Sequence, residues 1–314
     1  MRIERLPKNP IITPASSPSL GDNINGPSLI RVPGWVEDPL GRYYLYFAHH
    51  KGKHIRLAYA DDIAGPWTIH EPGVLNLSES HFPESIDVST LPRAWQDRLA
   101  AMKTEDDDPL YCHVASPDVL VDDAARQIRM YYHGLAANAR QVSRVALSSD
   151  GLSFNAQPGI IVPRPYLRVF EYQGFHYGLA MPGTMYRSLD GIVDWEEGPF
   201  LFNDDMRHSA VTLHDDRLYV FWTEVGDAPE HILLSTIDIS ADWSGWRATN
   251  PLDVLVPENE WEGAHLPAEP SVRGAISSAV NQLRDPCVFV EGHRTWLLYA
   301  IAGESGIAIA EIAQ

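Results

Sequence analysis

Cysteine is scarce in this chain, with only Cys112 and Cys287 among its 314 residues. Two cysteines cannot build a disulfide framework, so we expect two free, buried thiols. The sequence also lacks an apolar run long enough to span a bilayer, and it lacks a basic-then-apolar leader. These absences favour a cytoplasmic protein without a membrane partner.

Positive charge is in short supply as well. The chain has 24 Lys and Arg residues against 42 Asp and Glu residues, which gives a formal net charge of −18. Nucleic-acid binding depends on clustered Lys and Arg that contact phosphates, so this composition argues against a nucleic-acid partner. The acidic balance fits a neutral or metal-bridged substrate better than a polyanion.

What the sequence does contain is a unit that returns five times. Each unit has a strand with a polar or proline-marked start, a tight turn, an aromatic strand and a third strand. Short apolar stretches bounded by Gly, Asp, Asn and Pro are typical of strands rather than helices. We predict an all-β, five-bladed β-propeller that forms one domain over residues 1–314. The predicted blades span about 24–75, 113–163, 164–202, 206–257 and 283–312.

The last unit reaches the C-terminus without a fourth strand. The segment NPIITP (9–14) is similar to PGIIVP (158–163), which lies in a predicted fourth strand. We therefore expect residues 9–14 to cross over and complete the last blade. This closure would hide both edges of the ring.

The spacing between units indicates where a site could lie. Two insertions, roughly 76–112 and 258–282, each join an outer strand to the next inner strand. Such connections and the loops between second and third strands share one face of a propeller, where long loops usually carry function. The charged stretch KTEDDD (103–108) in the first insertion is interpreted as solvated surface. Candidate polar and aromatic residues on this face are His49, His50, His54, His81, His133, Glu224, Glu230, Trp261, Glu262, His265, Glu269 and Glu304.

The starts of the inner strands should form a narrower ring around the axis. Aligning the units places five residues at one level, namely Gly26, Ser116, Tyr166, His208 and Asp285. The residues just before them include Asn25, Arg207 and Arg284. A mixed acid, base and cation cluster on converging strands is a candidate active site, with a structural ion network as the alternative.

The blade pattern, with YYLYFAHH (43–50), LAYADDIAGPW (57–67), RDP (284–286) and WLLYA (296–300), resembles the five-bladed propeller glycoside hydrolases of family 43 and its relatives in families 32, 117 and 130. The resemblance implies a glycosidase with a carbohydrate substrate. In family 43 the catalytic carboxylates lie at the starts of blades 1 and 2 and in blade 3. This chain departs from the family at all three.

The three altered positions lie in Asn25-Gly26-Pro27, in Ser116-Pro117-Asp118 and near Arg164, Tyr166 and Arg168. No family 43 catalytic residue can therefore be carried over. We predict a glycoside hydrolase with an exo-type pocket on the axis, Asp285 as the base, and Glu269 or His208 as the acid, since histidine can deliver a proton near neutrality. The predicted substrate-binding residues are Asn25, His50, His113, Asp118, Arg168, Arg207, Glu224, Trp261 and Arg284.

Two alternatives remain open. In a glycoside phosphorylase similar to family 130, Arg207, His208 and Arg284 could clamp inorganic phosphate. In a non-catalytic sugar-binding propeller, Trp261 and Tyr166 would stack on sugar rings.

No cofactor is required by these readings. The resemblance also implies a single structural or substrate-bridging cation, commonly calcium, on the axis. No HxH or HExxH spacing supports a metal site directly, and ligands from separate loops cannot be read from the sequence. The sequence leaves the sugar and the oligomeric state open.

Overall fold

A computed structural model describes residues 2–101 and 109–313. The described residues form five antiparallel sheets of four strands each, and the ring of sheets is a five-bladed β-propeller. The predicted fold class is therefore confirmed. The stretch 103–108 lies outside the described residues.

The strands follow one another blade by blade. The chain begins with β1 (Arg2–Arg5). Blade 1 consists of β2 (Asn25–Arg31), β3 (Tyr43–Ala48), β4 (His54–Ala60) and β5 (Thr68–Asn76). Blade 2 consists of β6 (Val114–Asp122), β7 (Gln127–Leu135), β8 (Gln141–Ser148) and β9 (Asn155–Ala156). Blade 3 consists of β10 (Arg168–Tyr172), β11 (Phe175–Ala180), β12 (Thr184–Ser188) and β13 (Glu196–Phe200).

The last two blades complete the ring. Blade 4 consists of β14 (Met206–His214), β15 (Arg217–Glu224), β16 (Ile232–Asp238) and β17 (Leu252–Leu255). Blade 5 consists of β18 (Arg284–Glu291), β19 (Arg294–Ala300), β20 (Ile307–Ala313) and β1, in that order from the axis outward. The insertion after blade 1 contains helix α1 (Arg93–Ala100).

The N-terminal segment closes the last blade as expected, but with different residues. Strand β1 pairs with β20 in antiparallel register, with Arg2 opposite Ala313 and Arg5 opposite Ala310. The segment 9–14 forms no strand, and it meets β20 through the isolated bridge between Ile12 and Ile307 and through the Asn9 side chain, which hydrogen-bonds to the backbone of Ile309. Prolines 10 and 14 explain the difference, because proline has no N–H to donate to a sheet ladder.

Aromatic second strands fill the space between blades. In β3, Tyr44, Leu45, Tyr46 and Phe47 are all fully buried. Tyr44 and Tyr46 pack in an apolar cluster with blade 2, whereas Leu45 and Phe47 pack in another with blade 5. Alternate residues of a strand point to opposite faces, so each blade contributes to the core on both sides. This packing holds the inner strands around a common axis.

Candidate functional site

Each inner strand is preceded or opened by a residue in the left-handed backbone region. These residues are Gly26, Ser116, Tyr166, His208 and Asp285, with φ values of 62°, 48°, 55°, 44° and 46°. They are the five residues that the repeat alignment places at one level. In blades 1, 2, 4 and 5 the sheet register shifts across this position, as in a β-bulge. A bulge redirects a side chain, and here it turns these positions out of the blade packing.

One wall of the axial site consists of imidazole and phenol rings. Six rings make successive contacts around the site, in the order His50, Tyr111, His113, His133, Tyr166 and His208. The centroid separations run from 4.4 Å for His133–Tyr166 to 6.1 Å for His50–Tyr111. Faces and edges of aromatic rings form an apolar surface with polar tips, which suits a ligand that is partly apolar and partly hydroxylated.

The opposite wall is built around the carboxylate of Glu304. It accepts hydrogen bonds from Asn23 Nδ2 at 2.6 Å and Asn25 Nδ2 at 3.1 Å. Arg284 Nη1 lies 3.0 Å away and His50 Nδ1 lies 3.3 Å away. Burial disfavours the charged form, but His50, Arg284 and Asn23 outweigh it and lower the pKa of Glu304 to about 2. Glu304 is therefore a fixed anion at neutral pH.

The side chain of Glu230 is also buried, and its carboxyl group pairs with two guanidinium groups. Arg207 Nε donates to Glu230 Oε1 at 2.9 Å, and Arg207 Nη2 contacts Glu230 Oε2. Arg284 Nε lies 3.3 Å from the same Oε2. Both guanidinium groups are thus engaged by protein carboxylates, so the geometry does not support an anion clamp made of Arg207, His208 and Arg284.

Asp285 and His208 meet between these two walls. His208 Nε2 lies 3.8 Å from Asp285 Oδ1, and both side chains are at most 3 % exposed. Burial, with the negative charge of Glu304, raises the pKa of Asp285 to about 7. Burial, with the positive charges of Arg207 and Arg284, lowers the pKa of His208 well below its usual value. A proton shared by this pair therefore lies on Asp285, which is about half protonated at pH 7.

His113 has a defined tautomer. Its Nδ1 lies 2.9 Å from the carbonyl oxygen of Tyr111, and a carbonyl can only accept, so Nδ1 carries the hydrogen. Its Nε2 then carries a lone pair and has no hydrogen-bond partner in residues 2–101 and 109–313. Burial lowers the pKa of His113 to about 4, so the ring is neutral at neutral pH.

Three further buried polar atoms near the axis, Asp285 Oδ1, His133 Nδ1 and Arg168 Nη2, also have no hydrogen-bond partner among the described residues. Buried polar groups nearly always hydrogen-bond. These atoms can therefore bind a ligand.

Arg168 crosses the axis on the far side of this ring. Its Nε donates to the carbonyl of Ser209 in blade 4 at 2.8 Å, and its Nη1 donates to the carbonyl of Pro117 at 3.1 Å. Beyond it, further along the inner strands, a cavity of about 590 Å³ opens at the other end of the axis. Asp118 lines this cavity and accepts a hydrogen bond from the Val169 amide at 2.8 Å. Asp118 thus lies outside the ring.

Three other residues singled out from the sequence do not join the ring through any contact of the described residues. Glu224 accepts from Asn203 Nδ2 at 2.7 Å. Trp261 packs against the apolar cluster between blades 4 and 5. Glu269 is exposed. The structure instead adds Asn23 and Tyr111, which the sequence reasoning missed although each lies two residues before a predicted site residue.

A metal centre finds little support in the side chains. Among residues 2–101 and 109–313, no group of three or more His, Cys, Asp or Glu is arranged to hold an ion. The axial cation therefore stays a prediction. In the same ranges no helix is long and apolar enough to cross a membrane.

Solved structures with this architecture include carbohydrate-active enzymes. A provisionally assigned glycoside hydrolase from Parabacteroides distasonis aligns with a TM-score of 0.66 and 11 % identity, covering 98 % of this chain and 95 % of that one. CoXyl43, a family 43 β-xylosidase/α-arabinofuranosidase from a compost microbial metagenome solved with xylotriose, aligns with a TM-score of 0.58 and 12 % identity, covering 93 % and 92 %. The chain thus has the five-bladed propeller fold of the family 43 glycoside hydrolases, and the resemblance is confirmed at the level of the fold.

At the level of sequence no family model matches the chain. It is 33 % identical over 338 aligned positions to Uncharacterized protein R118 of Acanthamoeba polyphaga mimivirus. The alignment covers 99 % of this chain and 90 % of that protein. The chain belongs to the same family as that protein.

Proposed function

We propose that this protein is a glycoside hydrolase whose exo-type pocket lies on the propeller axis above Asp285. The carrying observation is a buried carboxyl group, that of Asp285, held beside imidazoles at the point where all five blades converge. A carboxylic acid with a pKa of about 7 is suited to protonating a departing glycosidic oxygen at neutral pH. The shared fold with family 43 enzymes supports this proposal.

The acid and the base differ from the roles expected from the sequence. Asp285 serves as the acid rather than its neighbour His208, since burial and the charges of Arg207 and Arg284 lower the pKa of His208 and disfavour the imidazolium that would donate a proton. The base is His113, whose free Nε2 is separated from Asp285 around the ring by His133, Tyr166 and His208. An imidazole with a pKa of about 4 has the basicity of the carboxylate that glycosidases normally use.

In this mechanism His113 Nε2 takes a proton from water as the water oxygen attacks the anomeric carbon. The glycosidic bond breaks, and its electron pair goes to the leaving oxygen, which takes the proton of Asp285. Proton exchange with solvent restores both groups. The phenol and imidazole wall contacts the sugar ring, and Glu304, with Asn23, Asn25 and Arg284, fixes the opposite wall.

The test is a screen of the purified protein with aryl glycosides, xylotriose and other oligosaccharides, with and without phosphate and with and without a chelator. Hydrolysis without phosphate is expected. Asp285→Asn should lower kcat/KM at least about 100-fold, whereas Glu269→Gln, a carboxylate outside the ring, should leave it unchanged. An active Asp285→Asn protein would refute the assignment. Phosphate dependence would indicate phosphorolysis, and saturable sugar binding without turnover would indicate a binding module.

A further inference from the structure

A strap of irregular chain, residues 271–280, lies across the axial site on the side of blades 4, 5 and 1. Its two ends are fixed to the body by backbone hydrogen bonds. Ser271 N–H donates to the carbonyl of Asp227 at 3.0 Å, and Val280 N–H donates to the carbonyl of Ala302 at 3.2 Å. Between these two anchors the strap, which is described throughout, makes no backbone–backbone hydrogen bond.

Three alternate carbonyls of the strap face the site. Val272 O accepts from Arg207 Nη1 at 3.1 Å, Gly274 O from Arg284 Nη1 at 3.4 Å, and Ile276 O from Asn23 Nδ2 at 3.1 Å. These three accepting carbonyls are spaced two residues apart along the strap. The donors belong to blades 4, 5 and 1, so the strap caps a row of buried donors.

The strap itself buries little. Residues 272–275 are exposed, and Val272 is 64 % exposed, whereas the Arg207, Arg284 and Asn23 side chains beneath are at most 4 % exposed. On its outer side Arg273 Nη2 reaches the carbonyl of Asp204 at 2.8 Å and Asp205 Oδ1 at 3.2 Å. Only Ile276 and Val280 of the strap are partly buried among its apolar residues, and a segment with so little apolar burial and no backbone ladder belongs to the least stable part of a fold.

We propose that the strap is a gate, and that its three carbonyls hold the places of ligand oxygen atoms. When the strap lifts, Arg207, Arg284 and Asn23 donate to the hydroxyl oxygens of a carbohydrate. The carboxylates of Glu230 and Glu304 already balance the charge of the two guanidinium groups, which favours neutral acceptors over anions. The identity of the ligand rests on the proposed function, but the gating does not.

Trypsin provides the assay, because the strap contains Arg273 followed by Gly274. Cleavage there requires the strap to leave the surface, so its rate follows the open population when cleavage is slow relative to closing. Cleavage after Arg126, in an exposed turn of blade 2, serves as the internal reference.

Two variants should open the gate. Gly274 has φ 107°, and a Cβ there would meet no atom within 4 Å, so Gly274→Ala disturbs only the backbone. It should raise cleavage after Arg273 about fivefold or more. Asp205→Asn removes an exposed ion pair and should raise it about two- to threefold. Asp204→Asn is the matched control, since only the main-chain carbonyl of Asp204 accepts from Arg273.

The ligand arm uses xylotriose and arabinose on the wild-type protein. If the sugar and the strap carbonyls compete for the same donors, saturating sugar should speed cleavage after Arg273 and leave cleavage after Arg126 unchanged. Unchanged cleavage in Gly274→Ala would refute the gate, and slower cleavage with bound sugar would refute the competition. If Gly274→Ala is cleaved faster after Arg273 but the protein binds no carbohydrate, the result would support the gate and count against the glycosidase.

Discussion

Strand β1, which closes the ring, is linked to the insertion after blade 4 by one buried carboxylate. Glu262, whose side chain is fully buried, accepts from Arg5 Nε at 2.7 Å and from the Tyr299 hydroxyl at 2.9 Å. It also accepts from the backbone amides of Glu258 and Asn259, both at 2.9 Å. Glu262→Gln keeps the shape of the side chain but replaces one accepting oxygen with a donor.

The expected loss in the free energy of unfolding depends on how far Glu262→Gln leaves the charge of Arg5 without a partner. Removing one partner of a buried ion pair costs about 3–5 kcal/mol, because the remaining charge stays desolvated. Arg5 retains Glu258 at 2.7 Å as a second partner. We therefore expect the low end, about 3 kcal/mol. Glu258→Gln is the matched control, since Glu258 is 64 % exposed and its pair should contribute at most about 1 kcal/mol.

Urea unfolding at neutral pH measures both losses, with the free energy of unfolding as the readout. Burial opposes ionisation of Glu262, but Arg5 and the two amides outweigh it and lower its pKa below 4.5. A lowered carboxyl pKa stabilises the fold above the unfolded-state value, and this contribution is lost as the pH falls through the folded-state pKa. The difference between wild type and Glu262→Gln should therefore shrink in acid. A loss equal to that of Glu258→Gln, or a difference that does not shrink below pH 4, would refute the reasoning.

Three further outcomes are expected. Asp285→Asn should stabilise the fold more at pH 8 than at pH 5. The folded-state pKa of Asp285 is raised to about 7, so the wild-type protein loses stability as the pH rises through 7. Melting curves of both proteins at the two pH values test this, and equal shifts in melting temperature would contradict it. Arg207→Met should cost about 3–5 kcal/mol in urea unfolding because it removes the closest partner of buried Glu230, and a loss below 1 kcal/mol would contradict the pairing. If His113 is the base and Asp285 the acid, kcat/KM should be bell-shaped with limbs near pH 4 and pH 7, and His113→Gln should abolish the acid limb.

The sequence repeats predicted both the fold and the five residues that lie at one level around the axis, and one property of a blade explains both. A blade is a local unit with a fixed backbone path, so aligning the units also aligns equivalent backbone positions, including the left-handed residues Tyr166 and His208. The closing strand was misplaced because similarity to a fourth strand suggested residues 9–14. The pairing is made by Arg2–Arg5 instead.

The insertions could not be placed in this way. Their paths follow no repeat, so composition alone could not show that Trp261 packs between blades or that Glu269 faces solvent. The roles of Glu230 and Glu304 depend on which guanidinium groups meet them, and those partners come from other blades. Proton affinities at the axis depend on burial and on neighbouring charges. Only three-dimensional contacts reveal these.

The left-handed residue near the start of each inner strand is the position at which each blade meets the axis. At this position Tyr166 contacts His133 of blade 2 and His208 of blade 4, so a replacement there changes the chemistry of the axis. Glycine, serine, tyrosine, histidine and aspartate now occupy these places. A carboxylate in the place of Ser116 or a second imidazole in the place of Tyr166 would give the same scaffold a different reaction. The propeller can thus vary one axial residue in each of blades 2 to 5, whereas a Cβ at Gly26 would lie 3.1 Å from Ser116 Cα.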